Sequence, residues 1–212
     1  MTTAAWALLA VTLVVAVVDW WAVVTERRTV EYICKPGTMV ALVAMVLALD
    51  PATPAVRSWF VVALICSMAG DIFLMVPKDL FVPGLVAFLL GHIAYVAGLV
   101  IGHQSLPLTG LGLVFVVLAI TFILPRLLPA VRAAEPGLVP PVVVYMVVIS
   151  SMVIAAWGTS VVLAIAGACL FYASDATLAW NRFVHEYPRG RLAVMTTYHL
   201  GQVGLALAVV SL

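Results

Sequence analysis

A chain of 212 residues in which 66% are hydrophobic and 9% are charged lies far from a soluble composition, which carries about 25% charged residues. Its mean hydropathy is +1.24 and at least seven apolar runs approach the roughly 20 residues that cross a bilayer, so it reads as an all-α polytopic membrane bundle in a single integral domain, residues 1–212. The net charge of +1 excludes a nucleic-acid footprint, and Cys34, Cys66 and Cys169 form neither a CxxC pair nor an even disulfide framework.

In chain order, the first span is expected near residues 4–24; it carries Asp19 and lacks a basic leader region, so it is kept as a span rather than a cleaved signal. The second, near 36–49, is short: 14 residues rise only about 21 Å, with Pro36 suited to the first helical turn and Pro51 just past the end. Six more spans are placed near 56–76, 80–101, 107–124, 138–155, 159–180 and 192–212, with the longest links at 25–35, 125–137 and 181–191. Charge supports eight spans. Alternate loops hold Arg27, Arg28, Lys35, Lys78, Arg126, Arg132, Arg182, Arg189 and Arg191, against Arg57 alone in the others, a nine-to-one division. Because Lys and Arg gather in cytoplasmic loops, both termini are expected outside.

Ionisable side chains inside a bilayer cost roughly 2.5 to 3.5 kcal/mol each on the insertion scale, so Asp19, Asp71, His92, Asp175 and His199 are functional candidates. At about 1.5 Å per residue, the three aspartates lie about 8 Å from the cytoplasmic helix ends, His199 about 11 Å and His92 about 18 Å. This shared depth points to one polar cavity opening toward the cytoplasmic leaflet. Helical spacing adds Ser67 beside Asp71, Tyr172 beside Asp175, Tyr95 beside His92 and Gln202 beside His199. Gly84, Gly91 and Gly98 recur every seven residues, a seam that lets another helix approach closely. Ala69 to Leu74 in span 3 also resembles Ala173 to Leu178 in span 7, the pattern of a parallel four-plus-four repeat. Trp20, Trp21, Trp59 and Trp180 near span ends read as interfacial belts.

Several segments together resemble the YhhN-like family of membrane proteins: Lys35-Pro36; Ser67 to Met75 (SMAGDIFLM); Phe88 to Tyr95 (FLLGHIAY); Ser174 to Phe183 (SDATLAWNRF); and Thr197 to Gln202 (TYHLGQ). Their order is preserved over residues 35 to 205, and the set is more specific than any piece. One departure is Tyr198-His199, where the family usually has a pair such as Tyr-Tyr. The family includes the lysoplasmalogenases, so the resemblance implies an eight-span hydrolase cleaving the vinyl-ether bond of lysophospholipids drawn from the membrane. It implies Asp71 and Asp175 as the catalytic pair, with Lys35, Ser67, His92, Tyr95, Tyr172, Asn181, Tyr198, His199 and Gln202 binding substrate, and a bacterial inner membrane as the location.

The residues suit that chemistry. Vinyl-ether hydrolysis protonates the β-carbon, captures water at the oxocarbenium ion and collapses the hemiacetal, which calls for an acid, a base and negative charge near the cation. Two carboxyls in a low-dielectric pocket can supply these, one protonated and one ionised. Lys35 is expected at the cytoplasmic mouth, against the substrate phosphate. Neither a metal nor a cofactor is called for. Two other readings stay open: a zinc-dependent amide hydrolase using His92, His199 and an aspartate, and a small proton-coupled transporter relaying protons through Asp71 and Asp175.

Overall fold

The computed structural model describes residues 1–212 and is helical throughout. Its helices are α1 (Thr3–Val24), α2 (Arg28–Leu47), α3 (Pro54–Met75), α4 (Phe81–Leu99), α5 (Leu106–Ala134), α6 (Val139–Gly158), α7 (Val162–Phe183) and α8 (Gly190–Ala208), with one 3₁₀ turn at Pro136–Leu138. Seven of them, α1 to α7, are long and apolar enough to cross a membrane. The eighth helix falls short in hydropathy: Arg191, Thr196, Thr197, Tyr198, His199 and Gln202 interrupt its apolar residues. At 19 residues it is still about 28 Å long, and it lies packed along α7.

Two expected boundaries are corrected. The second helix begins at Arg28 rather than at residue 36, so Pro36 lies in its interior. Glu31 anchors the added turns, accepting from Arg191 at 2.7 and 2.8 Å and pairing with Arg28 at 3.5 Å. The resulting 20-residue helix rises about 30 Å, which removes the shortfall in length. The fifth helix likewise runs on through Pro125 and Pro129 to Ala134, where a loop was expected from residue 125. Val131 and Leu127 on this extension are buried in a small apolar cluster with Phe81, Leu138 and Val142, and that packing offsets the hydrogen bonds the prolines cannot make.

Sequence-adjacent helices pair as four hairpins, α1 with α2, α3 with α4, α5 with α6 and α7 with α8. In the α3–α4 hairpin the heptad glycines do face the neighbour: a Cβ at Gly91 would stand 3.1 Å from both the Ala63 carbonyl and the Ser67 Oγ. The α7–α8 contact is tighter, backbone against backbone, since a Cβ at Gly201 would lie 2.9 Å from the Phe171 nitrogen and 3.0 Å from the Gly167 oxygen. Such closeness fixes Tyr198 and His199 on α8 relative to Tyr172 and Asp175 on α7. The remaining gap lies inside the ring of α2 to α8 and extends to the end bearing Met75, Phe81, Ala134 and Phe183.

Candidate active site

A cavity occupies that gap, and 18 of its 22 lining residues are hydrophobic. Charge enters the wall at three points only: Lys35 from α2, Asp71 from α3 and Asp175 from α7. Tyr145, Tyr172 and Tyr198 supply phenols, and Ser174 a hydroxyl.

Asp71 is 2% exposed and sits between two donors. Lys35 Nζ lies 3.1 Å from its Oδ1, and the Tyr198 hydroxyl donates to its Oδ2 at 2.6 Å. The longer α2 makes this possible: Lys35 comes seven residues into the helix rather than at its mouth, and its ammonium faces the bundle interior. Lys35 is therefore the counter-ion of Asp71, not a free cation at the rim. A buried charge needs such partners because its desolvation is otherwise uncompensated.

Asp175 has a different setting. Its Oδ2 accepts from the Tyr145 hydroxyl and lies 3.1 Å from His92 Nε2, while Tyr145 and His92 are 2.9 Å apart, so the three groups form a closed cluster. Its Oδ1 has no protein partner, and its side chain is 16% exposed against 3% for Asp71. Phe171 stands among these groups, its ring 4.7 Å from His92 and 5.2 Å from Tyr198 edge-on, which restricts how either can turn.

The expected site residues thus divide. Lys35, Asp71, Tyr172, Asp175 and Tyr198 line one cavity, and His92, fully buried, stands behind Asp175 outside the lining. Ser67 packs in the α3–α4 seam against Gly91. Tyr95 donates to Gln202 Oε1 at 2.5 Å in a fully buried layer, away from the lining. Asn181 accepts from the Tyr187 amide at 3.2 Å and shapes the α7–α8 connection. His199 accepts from Trp20 Nε1 at 3.0 Å through Nδ1, so Trp20 is an interior hydrogen-bond donor and not a belt residue. Under the zinc reading His92, His199 and an aspartate would converge, yet no three His, Cys, Asp or Glu side chains are grouped as a ligand set.

Tyr145 and Ser174 were not anticipated. Tyr145 is the single polar side chain in the aliphatic run from Val142 to Ile149, and that isolation is itself a signal. Ser174, next to Asp175, donates to the Val194 carbonyl at 3.0 Å and ties α7 to α8.

Two carboxyls from two helices, each with its own donors and both facing an apolar cavity, coincide with the segments that carried the family resemblance. The YhhN family model matches residues 30–209. The chain belongs to the YhhN family. It is 33% identical to the mouse protein named lysoplasmalogenase TMEM86B over 191 residues, 89% of this chain and 79% of that one. Human lysoplasmalogenase TMEM86B is 36% identical over 149 residues, 69% of this chain and 61% of the human protein. A lysoplasmalogenase of Mycobacterium tuberculosis (strain CDC 1551 / Oshkosh) is 33% identical over 135 residues, 60% of this chain and 51% of that one. The chain therefore spans about three-fifths of the human relative and half of the mycobacterial one. No solved structure matches it. Asp19 and Trp20 precede the matched YhhN segment, and both Asp19 carboxylate oxygens are buried without a hydrogen-bond partner.

Proposed function

We propose that the protein is a membrane-embedded hydrolase of the lysoplasmalogenase type, cleaving the vinyl-ether bond of a lysophospholipid to a fatty aldehyde and a glycerophospho-alcohol. The observation that carries this reading is the pair of differently dressed carboxyls facing one apolar cavity, in a YhhN chain whose relatives bear the lysoplasmalogenase name. An apolar wall suits an alkenyl chain, and the carboxyls suit acid-base work on its enol-ether head.

In this reading Asp175 carries the transferable proton. Its Oδ1 is free, and although each carboxyl accepts from one phenol, Asp71 alone faces an ammonium, which favours its anion. Asp175 protonates the β-carbon of the vinyl ether, and the Asp71 carboxylate stabilises the oxocarbenium ion that forms. Water adds to the α-carbon, losing a proton to the Asp175 carboxylate. Asp175 then returns that proton to the ether oxygen as the hemiacetal collapses. The hemiacetal hydroxyl surrenders its own proton, and aldehyde and alcohol leave with Asp175 again protonated. Overall one water is consumed, and no electron changes hands. His92 and Tyr145 orient Asp175 throughout.

With Lys35 drawn into the interior, the eight remaining basic residues in or beside the alternate connections, against Arg57 alone in the others, favour an orientation in which the cavity mouth faces the cytoplasmic leaflet and both termini lie outside, in a bacterial inner membrane. The test is mass spectrometry of purified protein incubated with a lysoplasmalogen and, separately, with the matching ester lysophospholipid. Aldehyde from the first and no fatty acid from the second is the expected result; absence of aldehyde with folded protein would remove the reading.

A further inference from the structure

With Lys35 committed to Asp71, the cavity itself has no free cation for a substrate phosphate, and the rim supplies one. Arg182 lies at the C-terminal end of α7, with its guanidinium 4.0 Å from the ring centre of Phe81 and 5.4 Å from that of Phe183, and both rings line the cavity. A single nitrogen, Nη2, serves two carboxylates: Asp79 Oδ2 at 3.1 Å, before α4, and Glu135 Oε1 at 3.2 Å, after α5. The Nη1 and Nε donors bond nothing in the protein. These three side chains are 30%, 70% and 50% exposed, for Arg182, Asp79 and Glu135 respectively.

We propose that Arg182, Asp79 and Glu135 form the headgroup site of the cavity and take a zwitterionic phospho-amine headgroup, phosphate on the open edge of Arg182 and ammonium on the two carboxylates. This rests on the hydrolase reading, whose reacting carbon it places at Asp175. Residues 175 and 182 are seven apart on one helix, two turns, so they share a face about 10.5 Å apart. Seven covalent bonds of about 1.5 Å separate the β-carbon of a vinyl-ether lysophospholipid from its phosphorus, reaching about 9 Å when extended. The lipid thus bridges carboxyl and guanidinium without strain.

Charge selects among headgroups. Two carboxylates share one guanidinium nitrogen, so the cluster itself holds one anion in excess, which an amine can pair with, while Lys78, Arg126 and Arg132 at the same end keep the wider surface basic. The Arg182 hydrogen bond, and then the Phe81 amide, hold the Asp79 carboxyl below the usual carboxylate range, so its charge is in place at neutral pH.

The test measures binding to purified protein in nanodiscs, using saturated 1-alkyl lysophosphoethanolamine and 1-alkylglycerol, which lack the vinyl bond and are not turned over. Arg182→Gln is expected to weaken binding of the first about tenfold or more and to leave the second unchanged, since only the first offers a phosphate. Asp79→Asn with Glu135→Gln is expected to weaken the phosphoethanolamine lipid and to strengthen the anionic 1-alkyl lysophosphatidic acid. Retained alkylglycerol binding certifies the fold of each variant. Equal losses for both lipids in Arg182→Gln would make Arg182 a structural latch and overturn the site, as would an unchanged headgroup preference in the double variant. Aldehyde release by the unaltered protein, measured separately, decides the hydrolase reading, so the two failures are distinguishable.

Discussion

Replacing Lys35 by Met separates two roles that the residue could play. Met preserves the length and apolar stem of the side chain but deletes the ammonium 3.1 Å from Asp71 Oδ1. At that distance and an effective dielectric of 20 the pair attracts by about 5 kcal/mol, in line with the 3 to 5 kcal/mol typically lost when one partner of a buried pair is removed. Asp71, 2% exposed and left with the Tyr198 hydroxyl, avoids that cost by taking up a proton, and the anion facing the oxocarbenium ion is then gone. The expected outcome is a fall in kcat of at least about 10²-fold with little change in KM. Thermal unfolding in detergent, followed alongside aldehyde release, should show a loss of stability that Asp71→Asn restores in the double variant, since Asn needs no counter-charge. Normal kcat with a raised KM would refute the reasoning, because it is the signature of a lysine that touches the substrate phosphate and not Asp71.

Asp71→Asn and Asp175→Asn should each lower kcat by at least about 10²-fold, and the double variant should be little worse than the more damaged single one, because the pair acts as a unit; steady-state aldehyde release checks this. Tyr145→Phe removes the hydroxyl that donates to Asp175 Oδ2 and should reduce kcat about tenfold while KM holds, as read from the same assay. Glu31→Gln should lower stability by about 1 to 2 kcal/mol in detergent unfolding, since the carboxylate is buried and accepts twice from a partly exposed Arg191. Cysteine labelling in intact cells should reach sites engineered at the N-terminus, and leave residues near 28, 130 and 187 protected; the reverse pattern would turn the cavity mouth to the other leaflet.

Most of the helical layout could be read from apolar run length and the alternation of basic loops, because a bilayer demands both. Proline misled twice for one reason. Pro36, Pro125 and Pro129 look like helix ends in isolation, and the contacts that carry the helix past them are tertiary: Glu31 with Arg191, and Val131 with the cluster under Phe81. The site shows the same division. Asp71 and Asp175 stand out because charge in an apolar run is costly, and Tyr172 and Tyr198 follow from helical spacing and family resemblance. Lys35 falls at the rim when its helix is started at residue 36, eight residues after the true start at Arg28. Arg182 counts in the sequence only as a loop charge and Asp79 and Glu135 carry no signal there, since nothing in their spacing says that three separate connections meet at one cavity edge.

The polarity of α8 belongs to the same argument. A helix must be apolar on the faces it turns to lipid, and one held backbone to backbone against α7 and touching α1 and α2 has fewer such faces. That shelter lets α8 carry Tyr198, His199 and Gln202 at 3%, 1% and 0% exposure, each bonded to a different neighbour: Asp71 on α3, Trp20 on α1 and Tyr95 on α4. Its low hydropathy is therefore a consequence of its position. The helix that looks least like a membrane span on composition is the one that joins the Asp71 half of the cavity to the rest of the bundle, and the glycines at 201 and 204 are what allow it to sit there.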